Sequence, residues 1–161
     1  AAWMVSSPTM RGNVGLGYGT QVSLDGEHAD PAALADEAVA RATLEGIVGR
    51  VETTAPAGAV LVYRDPAGGL SAALVRGETA AVLHAFPELR AATLQVFSAH
   101  DLSLSGTTKA FLEAYSVGRF QSSVRAFGRH LPRDERELER ALAGERRYAR
   151  LRIQPAPVVT L

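Results

Sequence analysis

The segment GETAAVLHAFPE, Gly77 to Glu88, gathers side chains that could do chemistry. Thr79 places a hydroxyl beside the Glu78 carbonyl, which raises the question of whether the chain is built to break between them. His84 stands inside the apolar run Ala80 to Phe86, which Pro87 stops. Imidazole titrates near neutral pH and can carry protons, yet a lone histidine in an apolar strand is more often a satisfied core residue, so its neighbours decide. Other chemistries find less support. His28, His84, His100 and His130 fall at no metal-ligand spacing, so no metal is expected, and the Asp beside His100 reads as the start of a loop. There is no Gly-x-Ser-x-Gly elbow for a hydrolase. Gly12, Gly15, Gly17 and Gly19 precede a strand-like TQVSL instead of opening a helix, and no Gly-Lys-Ser/Thr follows. They read as a flexible lead-in and not as a phosphate loop.

Composition frames the elements that must position these groups. The chain has 161 residues, 47% hydrophobic and 21% charged, which suits one ordinary globular domain with a real core. It has no cysteine, which removes disulfides, thiol nucleophiles and thiolate metal sites and agrees with a cytoplasmic location. With 17 basic and 17 acidic residues the molecule as a whole has no long-range attraction for nucleic acid or anionic lipid, so neither partner is expected. No apolar run approaches a membrane span, and the start AAWMVSSPTMRGN lacks the basic-then-apolar order of a signal peptide.

The periodicities predict the order β, α, four β, α, β, α. Residues 1–18 read as a loose arm, 19–132 as the main domain and 133–161 as a C-terminal helix and tail. HADPAALADEAVARATLEGIV predicts one helix with Asp30 as N-cap, Pro31 at its first position, and Leu34, Ala38 and Ala42 as its buried stripe. AGAVLVYR, LSAALVR, TAAVLHAF and RAATLQVFSA are four short apolar runs separated by turn residues, as antiparallel hairpins require. SGTTKAFLEAYSVG predicts a helix capped by Ser105, with Ala110, Phe111, Ala114 and Tyr115 on one face and Gly118 ending it. RFQSSVRAFGRHL predicts a last strand, and RDERELERALAGERRYARLRI a helix with the narrow seam Leu138, Ala141 and Leu142. Arg146, Arg147, Arg150 and Arg152 are interspersed with glutamates and read as a solvated face. Because the helices do not alternate with the strands, the fold class is α+β: a two-layer sandwich, an antiparallel β-sheet with helices on one face.

This order, with GETAAVLHAFPE and the following AATLQVFSA, resembles the prokaryotic S-adenosylmethionine decarboxylases of spermidine biosynthesis over roughly Gly19 to Arg129. In that family Glu-Ser-His is followed by a strand ending in His-Thr-Trp-Pro-Glu and a second ending in Phe-Thr-Cys. Here the corresponding residues are Glu78-Thr79-Ala80, His84-Ala85-Phe86-Pro87-Glu88 and Phe97-Ser98-Ala99. Decarboxylation needs an electron sink that no natural side chain supplies. The family makes one: a serine attacks the preceding Glu carbonyl, and the resulting ester eliminates to leave a pyruvoyl group on a new N-terminus. The resemblance assigns Ser71 to the processing serine, His84 to the processing histidine, Glu78 to the residue before the break and Glu88 to the acid that holds ribose hydroxyls. Phe86 matches one aromatic wall of the adenine slot, whereas the opposite wall falls at Asp65. The ketoacyl-forming serine is Thr79 and the proton-donating cysteine is Ala99.

The threonine methyl restricts χ1 and crowds the attack, and alanine cannot donate a proton. The leading expectation is therefore a family member that folds, pairs as a homodimer and binds an adenosyl ligand, but stays uncleaved, carries no cofactor and has impaired or lost activity. Two alternatives stay open: a working decarboxylase with a ketoacyl group made from Thr79, and a small α+β interaction domain unrelated to polyamines.

Overall fold

The computed structural model describes residues 19–127 and 134–153. Six strands form one antiparallel sheet: β1 Gly19–Glu27, β2 Leu61–Arg64, β3 Leu70–Arg76, β4 Thr79–Phe86, β5 Ala91–Ser98 and β6 Arg119–Phe127. Their spatial order is β2-β3-β4-β5-β1-β6. The consecutive hairpins β2 to β5 build one half, and β1 pairs with both β5 and β6 to complete the other. Among the described residues the helices are α1 Pro31–Ala35, α2 Glu37–Val51, α3 Leu104–Tyr115 and α4 Glu135–Ile153, with a 3-10 turn at Pro87–Leu89.

Alternation along the strands separates two faces of different character. Leu24, Leu83, Leu94, Val22 and Val96 point to the face that α1, α2 and α3 cover, where they meet Leu34, Leu44, Ile47, Val48, Phe111 and Tyr115. Each such aliphatic side chain contributes about 1.5–3 kcal/mol by leaving water. The other face is open, and it carries Ser71, Val75, His84 and Phe86. This is the two-layer α+β sandwich with helices on one face.

The single helix expected from Pro31 onward is two. Asp30 caps α1 by accepting from the Ala32 N–H at 3.0 Å. Asp36 then adopts an extended conformation (φ −89, ψ 113) and caps α2 through the Ala38 N–H at 2.7 Å. An aspartate offers the backbone this local alternative to the helical bond, so the second cap restarts the helix and resets its phase. Ala38 and Ala42 are consequently exposed, and Ala40, Thr43, Leu44, Ile47 and Val48 form the buried face of α2. At α3 the cap is Ser103 and not Ser105: its hydroxyl accepts from Gly106 N–H at 3.1 Å. The helix ends at Tyr115, with Ser116, ahead of Gly118, in the left-handed conformation. The expected arm at 1–18, the tail after Ile153 and residues 128–133 lie outside the described residues. So do the side chains of Leu138, Arg146, Arg150 and Arg152.

Candidate functional site

The β3–β4 hairpin turns through two residues, because Arg76 pairs with Thr79 and only Gly77 and Glu78 lie between them. Gly77 has φ +56, a conformation that favours glycine, and a Cβ there would also run into the Glu52 carboxylate. Glu52 is the C-cap residue of α2, and its chain is directed inward beneath the turn, only 5% exposed. Its Oε1 accepts from the Glu78 N–H at 3.1 Å and from the Thr79 hydroxyl at 2.7 Å. A buried carboxylate needs such donors to offset its lost hydration.

Thr79 is 1% exposed and belongs to the helix-covered face of β4, in register with Ser98 on β5. The two hydroxyls are 2.8 Å apart. Since Thr79 gives its one proton to Glu52, Ser98 donates to Thr79, and Ser98 Oγ in turn accepts the His100 N–H at 2.9 Å. The Glu78 carbonyl accepts from the Ala99 N–H at 3.2 Å. The His100 imidazole stands over the same tip, with Nε2 3.5 Å from Glu52 Oε1 and 3.7 Å from Glu78 Oε2. The Glu78–Thr79 peptide thus has a carboxylate on its neighbouring hydroxyl and an N–H on its carbonyl oxygen.

Ser71 and His84 form a separate pair. They are cross-strand partners on β3 and β4, with Ser71 Oγ 2.8 Å from His84 Nδ1, on the open face. His84 lies five residues beyond Thr79, an odd number, so it faces the other way and stands roughly 16 Å further along the strand. His84 is accordingly half-buried, and its pairing with Ser71 replaces the core environment that an apolar run suggests. The structure brings Ser71 to His84, and Glu78 to Thr79, but leaves the two pairs apart within one chain.

Phe86 lies two residues beyond His84 on the same open face, 39% exposed. Glu88 follows in the 3-10 turn, its carboxylate so close to Gly68 that a Cβ there would lie 2.7 Å from Oε1. Asp65, where the resemblance puts an aromatic wall, closes its own turn: Oδ1 accepts from Ala67 N–H at 2.9 Å, and its backbone bonds Gly69 and Gly68. An exposed aromatic side chain does stand on this face, but it is Tyr63, in register with Ser71. Glu52 and Tyr63 were both missed from the sequence. Glu52 sits in VETT, 27 positions before Thr79, and only the folded contact identifies it.

The family model for S-adenosylmethionine decarboxylase matches residues 20–126. No curated protein sequence matches the chain. Among solved structures, the adenosylmethionine decarboxylase from Aquifex aeolicus VF5 is similar in fold, with a TM-score of 0.56 and 18% identity over 70% of this chain and 92% of that one. A weaker likeness, TM-score 0.49 and 17% identity, links 78% of this chain to 51% of the Trypanosoma brucei AdoMetDC-delta26 monomer.

Proposed function

This chain belongs to the S-adenosylmethionine decarboxylase family, and from that premise we propose that it is an adenosyl-binding member that remains a single unbroken polypeptide and has lost decarboxylation. The observation that carries the loss is position 99. Its side chain is a methyl, and its neighbour Ser98 is buried with its hydroxyl shared between Thr79 and the His100 N–H. A carbanion formed at this site would lack the general acid worth about 10²- to 10⁴-fold in rate. The residues therefore do not fit a working ketoacyl centre, and no cofactor is assigned to the chain.

Binding is supported by the open face. Tyr63 stands beside Ser71 on β2 and Phe86 lies two residues beyond His84 on β4, so both add aromatic surface to the face of the Ser71–His84 pair, and Glu88 offers a carboxylate to sugar hydroxyls from the adjoining turn. S-adenosylmethionine at millimolar concentration should raise the melting temperature by several degrees, since a ligand at about 100 times its Kd adds roughly 2.7 kcal/mol to the native state. Phe86→Ala should remove that shift while leaving the partly exposed strand end folded. A wild type that melts at the same temperature with and without ligand overturns the binding reading.

The same open face supports homodimerisation. Leu61 and Val75 project from it at 73% and 69% exposure.

A second reading has one observation in its favour. His100 hangs over the Glu78–Thr79 tip, where an imidazole could take over as proton donor, and this fits an enzyme that processes Thr79 to a ketoacyl group. Purified protein already broken at Thr79, and releasing carbon dioxide from S-adenosylmethionine, would establish that reading instead.

A further inference from the structure

We propose that Glu52 is the base that activates the Thr79 hydroxyl, so that the Glu78–Thr79 peptide exchanges with an ester of the same mass. This rests on the reading of an unbroken chain and adds to it a residue that the resemblance does not supply.

Three contacts carry the inference. Glu52 Oε1 accepts the Thr79 hydroxyl proton at 2.7 Å, a length typical of a charge-assisted bond. The carboxylate is only 5% exposed, so bulk water competes little for it. The carbonyl that the hydroxyl would attack is that of Glu78, whose oxygen receives the Ala99 N–H at 3.2 Å, a donor in place for the charge that develops there. Nucleophile, base and oxyanion donor thus meet at one peptide bond, on the helix-covered face and apart from Ser71 and His84. Glu52 also holds the Glu78 N–H at 3.1 Å, and Gly77 leaves room for its second oxygen, so the turn cannot shift without disturbing the base.

The step balances without a further reactant. Thr79 Oγ1 bonds to the Glu78 carbonyl carbon and its proton passes to Glu52. The bond from that carbon to the Thr79 nitrogen then breaks, and Glu52 returns the proton to the nitrogen, leaving an ester and a free α-amine. Going further would require removal of the Thr79 Cα proton. Glu52 and Ser98 are committed to the hydroxyl, and the Ser71–His84 pair belongs to the other face, so within one chain the sequence stops at the ester.

Hydroxylamine at neutral pH tests this, because it cleaves esters and spares ordinary amides; the chain contains no Asn-Gly pair to confuse the result. Untreated wild type should show one species of full-chain mass. Treated wild type should split into a piece ending in a Glu78 hydroxamate and a piece beginning with unmodified Thr79. Thr79→Ala should not split. Glu52→Gln, with its fold checked by circular dichroism, should split at least about 100-fold more slowly. Should that variant not fold, Glu52→Asp carries the test, since drawing the carboxylate back by one methylene should slow the split by about 10-fold or more. Wild type that resists hydroxylamine, or a folded Glu52 variant that splits at the wild-type rate, overturns the proposal. A wild type already broken before treatment, with a ketoacyl group on Thr79, overturns the unbroken-chain reading instead. The role of Glu52 would then be read from the self-cleavage rates of the same variants.

Discussion

Tyr115 shows how one side chain can be fully buried and still poorly satisfied. Its ring packs against Phe111 on α3, with centroids 5.7 Å apart, but its hydroxyl makes no hydrogen bond among the described residues. Thr43 faces it outside hydrogen-bonding geometry and gives its own proton to the Val39 carbonyl at 2.7 Å. Burial pushes the phenol from 10.0 up to about 12, and the Asp36 charge adds to the rise. The unfolded chain ionises this group first, so its contribution to stability is fully present below about pH 10 and is lost as pH climbs toward 12. A two-unit difference corresponds to roughly 2–3 kcal/mol. Tyr115→Phe removes the unpaired hydroxyl. It should match or exceed wild type by about 1 kcal/mol at pH 7 and lose less between pH 9 and pH 11.5 in urea unfolding. Equal alkaline losses in the two proteins would refute this account. The sequence marks Tyr115 as one position on a helical face, whereas its partnerless hydroxyl depends on how Thr43 is satisfied from another helix. Glu52 was hidden for the same reason: an acidic residue at a helix end reads as solvent-exposed until the turn that covers it is in place.

At the scale of elements, the β2 to β5 strands were legible because each is a short apolar run bounded by turn residues. Their pairing as hairpins follows from loops too short for anything else. The break at Asp36 was not legible. ADEAVA is compatible with an unbroken helix, and the choice of a second cap over one more helical turn is made by packing, which brings Leu44, Ile47 and Val48 onto the sheet. The catalytic likeness had a similar limit. Spacing along a strand states that His84 follows Thr79 by five, but parity assigns them to opposite faces, so a motif read as one constellation is divided between two sides of the sheet. The β3–β4 hairpin itself is held by Gly77. Gly77→Ala places an ordinary residue at φ +56 and a methyl against a buried, hydrogen-bonded carboxylate. It should cost about 2 kcal/mol or more in chemical denaturation, and because the strain falls on Glu52 it should also slow the hydroxylamine split. A variant as stable as wild type would show that the turn relaxes freely and that Glu52 is not held by it.

For the whole molecule, the decisive asymmetry is between the two faces of the sheet. The helix-covered face is closed by a continuous apolar core, whereas the open face combines a polar row, Ser71, His84 and Thr93, with Leu61, Tyr63 and Val75 standing clear of any neighbouring layer. An antiparallel sheet tolerates one wet face, but large apolar side chains grouped on it mark a surface that another molecule covers. The occupant proposed here is a second copy, related by a two-fold axis that sets the same patch against itself. Sedimentation at micromolar concentration should then give about twice the 17.0 kDa of one chain. Leu61 pairs with Ala73 and Val75 lies two residues further along β3, so the two side chains are near neighbours that support nothing inside their own protomer. Leu61→Glu combined with Val75→Glu should therefore leave the thermal unfolding of the monomer nearly unchanged while setting like charges against each other across the two-fold. The double variant is expected to sediment as a monomer. If the face also binds an adenosyl compound, ligand should still protect the monomeric variant through Phe86, though less than wild type, since dimerisation and binding then both stabilise the same native state. Wild type that runs only at the mass of one chain removes the dimer and leaves the fold and the Glu52 chemistry standing, because both are complete within a single protomer.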